Sequence, residues 1–371
     1  MKADANADFA KMESIWRGEL QNCPLDPWHE GYFLIAEERL AEVLWAKASY
    51  YETATSPEIE TLYRDALRRG EKYAWLGDGE HNDIVKLRLA SYYESQRRYG
   101  EAECLIKSVF VKLPQHYAEY GLNLSNVVFP LVDIYEAQGR YQDAELLLDD
   151  VLRDHQQTGR TSAIPEVMER LGILSCAQHK EKQAISWWQQ GVSIARKGTT
   201  RDDYVWTIRL MSRLGVIYQK AGLETSAEQE LKDCLAVIKK YRPKNEIGSR
   251  LPCWPATGPI MTNLGESYIA KKEYSLAEPL CKEAIAECEL SLDKSRCVTD
   301  TEERLLEFHE SAQVLSRLYL LRGDKTASEE LLNQVQKISD QYPVRAPKSK
   351  SHTERARSIS SDTDLPTLPK S

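Results

Sequence analysis

The stretch LVDIYEAQGRYQDAELLLDDVL, residues 131–152, contains the pattern that decides the fold. Two apolar runs with helical spacing flank AQGRYQ, and Gly139 stands where the first helix would stop. Nearly the same phrase, LASYYESQRRYGEAECLIKSVF, occupies residues 89–110, forty-two residues upstream. The chain therefore repeats a helical hairpin, and this repeat has to be defined before any single motif is interpreted.

Each copy of the repeat is aligned on one residue of its first helix, which we call the anchor. The anchors are, in chain order, Tyr50, Tyr93, Tyr135, Ser175, Tyr218, Tyr268 and Tyr319. From Tyr93 onward a Leu stands four residues before each anchor, and an Ala or Ser stands nine residues after it. The residue three before the anchor is small in all but one of these copies: Ala90, Gly172, Gly215, Gly265 and Ser316, with Val132 the exception. Small residues on both helices predict closely packed antiparallel pairs.

This pattern of Leu, Gly, Tyr and Ala resembles the tetratricopeptide repeat (TPR), a helix-turn-helix unit. Successive anchors lie 43, 42, 40, 43, 50 and 51 residues apart, and this long spacing resembles the kinesin light-chain-like subtype, whose units run to about 42 residues. The residues before the first repeat lack the long heptad segment of those light chains, so we expect the repeat and not the motor subunit. The resemblance implies an all-α fold, a right-handed α-α superhelix of about seven helical hairpins.

The composition divides the chain into three parts. We expect an N-terminal extension with a short cap helix at residues 1–31 and a repeat domain at residues 32–340. Residues 341–371 form a Ser-, Pro- and base-rich tail, a composition typical of disorder. In this tail Ser360 follows Arg355 and Arg357 at a spacing that basophilic kinases favour, so Ser360 is a candidate phosphosite; the alternative is a solvated tail with a chance match.

Composition excludes several classes of function. The formal charge of −8 argues against a general nucleic-acid binder, and no apolar run is long enough to span a membrane.

The N-terminal residues have no signal-peptide pattern, so we predict a cytoplasmic protein. We expect its eight cysteines to be reduced and packed like small apolar side chains. The oligomeric state stays open.

No motif for catalysis, nucleotide binding or metal binding is present in the sequence. The seven histidines are dispersed, and the glycine-rich motifs of phosphate sites do not occur. We therefore predict no catalytic residue, no cofactor and no metal ligand.

The function is expected to lie in the concave groove that the first helices of such a superhelix line. Candidate peptide-binding residues in this groove are Arg88, Asp133, Glu169, Arg170, Arg209, Arg213, Asn263, Glu266 and Arg317. Arg170, Arg209 and Arg213 beside Asn263 are suited to an acidic peptide, which they would hold by charge-assisted hydrogen bonds; the alternative is that they are solvated helix faces. We predict a non-enzymatic scaffold or adaptor that binds a partner peptide. The alternative is a regulatory sensor that closes on a small ligand or short signal peptide.

Overall fold

The structure, a computed structural model, describes residues 2–22, 30–50, 56–72, 79–111, 124–241, 257–292 and 298–342. In these ranges the chain is helical and has no strand. The helices are α1 (Lys2–Asn22), α2 (Glu30–Tyr50), α3 (Pro57–Lys72), α4 (Gly79–Ser95), α5 (Tyr99–Phe110), α6 (Leu124–Ala137), α7 (Tyr141–Thr158), α8 (Ile164–Ala177), α9 (Glu181–Ala195), α10 (Arg201–Lys220), α11 (Glu224–Tyr241), α12 (Thr257–Ala270), α13 (Tyr274–Leu292), α14 (Val298–Leu321) and α15 (Lys325–Ser339).

After α1, the described helices form seven consecutive hairpins. The even-numbered helices from α2 to α14 carry the anchors, and we call them first helices; the odd-numbered helices from α3 to α15 are the second helices. The predicted all-α array of about seven TPR-like hairpins is therefore confirmed.

The chain divides into two compact units, residues 1–147 and residues 148–371, with the boundary inside α7. In the first unit each helix from α1 to α5 packs on its successor among the described helices, and α4 also packs on α6. In the second unit the helices from α8 to α15 do the same, and each first helix also contacts the next one, in the order α8, α10, α12 and α14. The N-terminal extension holds α1, which is 21 residues long. The three-part division itself stays a prediction, and residues 343–371 of the tail, Ser360 among them, lie outside the described residues.

The turn between the two helices of a hairpin has one geometry in six copies. The residue four after the anchor is left-handed, with φ between 58° and 83°, in Arg97, Gly139, His179, Gly222, Lys272 and Gly323. The next residue donates its N–H to the anchor carbonyl over 2.8 to 2.9 Å, which is the long hydrogen bond of a Schellman cap. Three of the six are not glycine, so the position in the repeat imposes the left-handed conformation whatever the residue type.

The small residues are small because a side chain of the second helix presses on them. A Cβ added to Gly172 would lie 2.0 Å from Trp188 Nε1, and one added to Gly215 would lie 2.5 Å from the Leu231 side chain. Nine residues after the anchor, Ala144 and its counterparts are fully buried. The small residue on the first helix and the alanine on the second helix thus allow the two helices to pack closely.

Candidate functional site

The first helices of the second unit provide the surface on which most of the predicted binding residues lie. Because α8, α10, α12 and α14 contact one another in that order, the sides of these helices that face away from the second helices form one surface. We call this surface the first-helix face. It carries Arg170 on α8, Arg209 and Arg213 on α10, Glu266 on α12 and Arg317 on α14.

Glu169 is the centre of a polar cluster on this face. Its carboxylate accepts hydrogen bonds from Arg213 Nε at 2.7 Å and from Arg209 Nη2 at 3.0 Å. Glu169 is only 3% exposed, whereas the side chain of Arg209 is 44% exposed. The two arginines of α10 therefore cover a buried carboxylate of α8, and this ion pair joins two neighbouring repeats.

The charges of the cluster leave it cationic. Burial acts to raise the pKa of Glu169, but the guanidinium groups of Arg213 and Arg209 outweigh it and hold this pKa below the usual value of 4.5. Burial raises the pKa of nearby Glu166, and Arg170 opposes this shift in part. With both carboxyl groups ionised, three arginines face two glutamates, so the cluster retains at least one positive charge. A partly covered cationic surface of this kind attracts carboxylates.

Aromatic rings orient the two guanidinium groups. The Arg209 guanidinium lies over the ring of Trp206 at 4.9 Å, and that of Arg213 lies 6.0 Å from the ring of Trp188. Trp188 also donates its indole N–H to the backbone carbonyl of Glu169 over 3.2 Å. The bonds to Glu169 use Nε and Nη2 of Arg209 and Nε of Arg213, so Glu169 does not engage the remaining Nη atoms. Donors held in place on rings are prepared for a second acceptor.

The other predicted residues are distributed more widely. Arg317 donates to Glu266 across α12 and α14 over 2.9 Å, and the backbone carbonyl of Asn263 accepts from Gln219 of α10. Arg88 lies in the first unit, where it forms ion pairs with Glu38 and Glu42 of α2. Asp133 is half-buried on α6 of the same unit. The structure thus brings together Glu169, Arg170, Arg209 and Arg213, and it does not bring Arg88 or Asp133 into that cluster. The binding role of all nine residues stays a prediction.

Four of the candidates, Asp133, Glu169, Glu266 and Arg317, stand two or six residues before their anchors, and these two positions differ in burial. Two residues before the anchor, the side chains are half-exposed or exposed from Ser91 to Arg317. Six residues before the anchor, Phe129, Glu169 and Thr262 are buried. Thr262 shows the reason, since its hydroxyl shares a 2.7 Å hydrogen bond with Ser311 of the next first helix. In the second unit the six-before position thus faces the neighbouring repeat in two of the copies.

Sequence reasoning did not identify a second set of ion pairs, which lies on the second helices. Ten residues after the anchor, a glutamate binds a cation four residues further on and a cation that follows the next first helix. We call these residues the bridging glutamates: Glu60, Glu103, Glu228 and Glu278. In the first unit, Tyr93 and Tyr135 donate their anchor hydroxyls to Glu60 and Glu103. The recurrence of Glu and a cation at these offsets was the signal available in the sequence.

The cations hold the pKa of each bridging glutamate below its usual value. The Arg98 hydrogen bond is the largest cause for Glu60, and the bonds from Lys232 and Lys271 are the largest for Glu228. Each of these glutamates therefore stabilises the packing of its repeat against the next one while its carboxyl group is ionised.

The cysteines within the described ranges are free thiols. Burial raises the pKa of Cys176 to about 11 and the pKa of Cys234, Cys281 and Cys288 to about 12, so these four stay protonated. Within the same ranges no group of three His, Cys, Asp or Glu side chains is arranged to hold a metal ion. None of the described helices combines the length and the apolar character that crossing a membrane requires.

Comparison with known proteins shows a likeness in fold and not in sequence. No family model and no curated protein matches the chain. BtubC (BKLC) from P. vanneervenii is 14% identical, with a TM-score of 0.48 over 72% of this chain and 96% of that one. A putative kinesin light chain from Podosopora anserina, with nearly identical TPR-like repeats, is 20% identical, with a TM-score of 0.44 over 60% and 97% of the two chains. A tetratricopeptide repeat protein from Parabacteroides merdae is 10% identical, with a TM-score of 0.44 over 88% and 97%. Two of these three solved structures are named for tetratricopeptide or TPR-like repeats, and one of the two is a putative kinesin light chain.

Proposed function

We propose that this protein is a non-enzymatic scaffold whose first-helix face binds an acidic segment of a partner protein. The observation that carries the proposal is the cluster of Glu169, Arg170, Arg209 and Arg213. This cluster keeps a positive charge, and its arginines lie on aromatic rings with donors that Glu169 does not use. A carboxylate that reaches Arg209 Nη1 or the Nη atoms of Arg213 forms charge-assisted hydrogen bonds with them. Trp206 beside them offers contact to an apolar or aromatic neighbour in the same segment.

The mode of binding follows from the arrangement of the helices. Four first helices side by side present a surface that an extended or helical peptide crosses at an angle, so several repeats contribute contacts. Toward α14 the face carries the uncharged Gln313 and the ion pair of Arg317 with Glu266, which is neutral overall, so the net positive charge lies at the end formed by α8 and α10. A peptide with acidic residues at one end therefore binds in one direction.

Selection from a random peptide library tests the proposal without requiring that the sequence of the partner be known. The full-length chain is immobilised and panned against the displayed library, and the selected peptides are synthesised and measured by fluorescence anisotropy. We expect the selected peptides to be enriched in Asp and Glu. Arg209→Gln should weaken their binding about tenfold, the value of one charge-assisted hydrogen bond. This variant leaves Arg213 on Glu169, whereas replacing both arginines by Glu would also leave a buried carboxylate without a cation.

The matched control is Arg153→Gln. Arg153 is an exposed arginine on the second helix α7, paired with Asp150 and outside the first-helix face. Its substitution removes the same charge and should leave peptide affinity unchanged. Selected peptides without an acidic excess, or equal losses in the two variants, would place the binding surface elsewhere.

A further inference from the structure

The last hairpin, α14 and α15, ends in a surface that the other copies of the repeat cover. Thirteen residues after each anchor, the second helix carries a side chain that packs against the first helix. In six copies this residue is at most 4% exposed: Tyr63, Ile106, Leu148, Trp188, Leu231 and Cys281. In the last copy the same position is Leu332, which is 44% exposed. Exposed leucines occur elsewhere on the chain, but here the exposure departs from the rule of the repeat.

Glu329 on α15 stands in the register of the bridging glutamates. Ten residues after the anchor, Glu228 and Glu278 each bind a cation of the next repeat, Lys271 and Arg322 respectively. Glu329 holds that position in the last copy and is exposed. It has no ion pair or hydrogen bond within the described part of the chain. The last hairpin thus presents a carboxylate at the place where a following repeat supplies a cation.

Leu320 completes this surface from the first helix α14. The equivalent residue two repeats earlier, Gln219, directly follows its anchor and reaches the next first helix, where it donates to Ser267 Oγ over 2.9 Å. Leu320 occupies the same position, is 53% exposed and has an apolar side chain instead of an amide. We call Leu320, Glu329 and Leu332 the C-terminal edge. Glu329 and Leu332 keep the acidic and apolar residues that internal repeats carry at these positions, although a terminal repeat usually has a polar outer face.

We propose that the C-terminal edge binds an amphipathic α-helix of a partner protein, placed where an eighth first helix would lie. The helix packs an apolar stripe with a small residue against Leu320 and Leu332, and a Lys or Arg that directly follows its last turn pairs with Glu329. This chemistry follows from the equivalent internal contact, where α12 packs on α11 and Glu228 of α11 forms an ion pair with Lys271, the residue that follows α12. The site is separate from the first-helix face and does not depend on the function proposed for it.

The probe is a synthetic peptide of residues 257–273 of this chain, which covers α12 and Lys271. Because isolated helices of this length are marginal in water, Ala270→Lys is introduced and joined to Glu266 by a lactam, and circular dichroism verifies the helix. Anisotropy of the labelled peptide is then measured against the full-length chain. We expect saturable binding that weakens at least tenfold in Leu332→Glu and in Glu329→Lys. A Lys271→Glu peptide should recover affinity for the Glu329→Lys chain.

The matched control is Leu276→Glu on α13, a second-helix leucine with 51% exposure that lies outside the edge. This substitution should leave the affinity unchanged. A helical probe that does not bind, an equal loss in the control, or failure of the charge exchange overturns the proposal. Two further outcomes overturn it by naming another occupant. One is a dimer, seen by light scattering, that Leu332→Glu dissociates; the other is probe binding that requires removal of residues 343–371.

Discussion

Replacement of Glu169 by glutamine measures how much a buried ion pair between neighbouring repeats contributes to stability. Glutamine keeps the size of the side chain and one oxygen acceptor, but it removes the charge that neutralises Arg209 and Arg213. Loss of one partner from a buried ion pair costs about 3 to 5 kcal/mol of unfolding free energy. The two arginines stay partly exposed to water, which solvates their charge, so we expect a loss of about 3 kcal/mol, at the lower end of that range.

The matched control is Glu266→Gln, which makes the same chemical change in another pair between neighbouring first helices. Glu266 and Arg317 have side chains that are 36% and 54% exposed, against 5% for Glu169. Exposed pairs contribute about 0 to 1 kcal/mol. The two variants make the same residue change in a buried pair and in an exposed pair, although Glu169 binds two arginines and Glu266 binds one.

Urea unfolding followed by far-ultraviolet circular dichroism measures both variants at pH 7. With a slope of about 2 kcal/mol per molar urea, the midpoint should fall by about 1.5 M for Glu169→Gln and by less than about 0.5 M for Glu266→Gln. Equal shifts would refute the reasoning, because they would show that the burial of Glu169 has no energetic consequence. The pKa of Glu169 is lowered in the folded chain, so its contribution is complete above the usual value of 4.5 and is lost as the pH falls below it. The difference between the wild-type chain and Glu169→Gln should therefore narrow in acid.

Three further predictions concern turns, packing and pH. His179→Gly should stabilise the chain by about 1 kcal/mol in urea unfolding, because His179 is left-handed, while Gly222→Ala at the same position of another copy should destabilise it by a similar amount. Gly172→Ala should cost about 1 to 3 kcal/mol because its Cβ meets Trp188, whereas Gly100→Ala, with open space around it in α5, should be neutral or stabilising. Because the pKa values of the bridging glutamates are lowered, the melting temperature should hold from pH 7 to 5 and fall below pH 4.5, and a constant value down to pH 3 would contradict their role.

The turns show how far residue types alone predict the fold. Gly139 predicted the end of its helix, and Gly222 and Gly323 stand at the same position of their copies; glycine adopts positive φ there without strain. Arg97 and Lys272 adopt the same conformation, and no property of arginine or lysine indicates it. Their position four residues after an anchor does. The register of the repeat therefore predicts local backbone geometry that residue preferences miss.

The candidate site was predicted in part. Sequence spacing placed Glu169, Arg209 and Arg213 on first helices, and the structure has them there. The spacing did not predict that Arg209 and Arg213 bind Glu169. Packing sets how far one first helix is shifted along the next, and the sequence of a single helix does not determine that shift. The two arginines lie 40 and 44 residues after Glu169, close to one repeat length, so an oppositely charged pair at that separation was the available clue.

The bridging glutamates and the ion pairs between first helices differ in how far they determine the order of the hairpins. The bridging glutamates occupy the same position in four copies, so a hairpin moved by one place in the stack would still find a matching cation. The first-helix pairs differ from copy to copy. Arg317 and Glu266 both stand two residues before their anchors, where the copies of Tyr218 and Ser175 carry Val216 and Ile173. A displaced hairpin would set Arg317 against one of these apolar side chains and lose the pair. The first-helix pairs therefore favour one order of similar hairpins, and the same charges that fix this order remain on the surface that we propose for the partner.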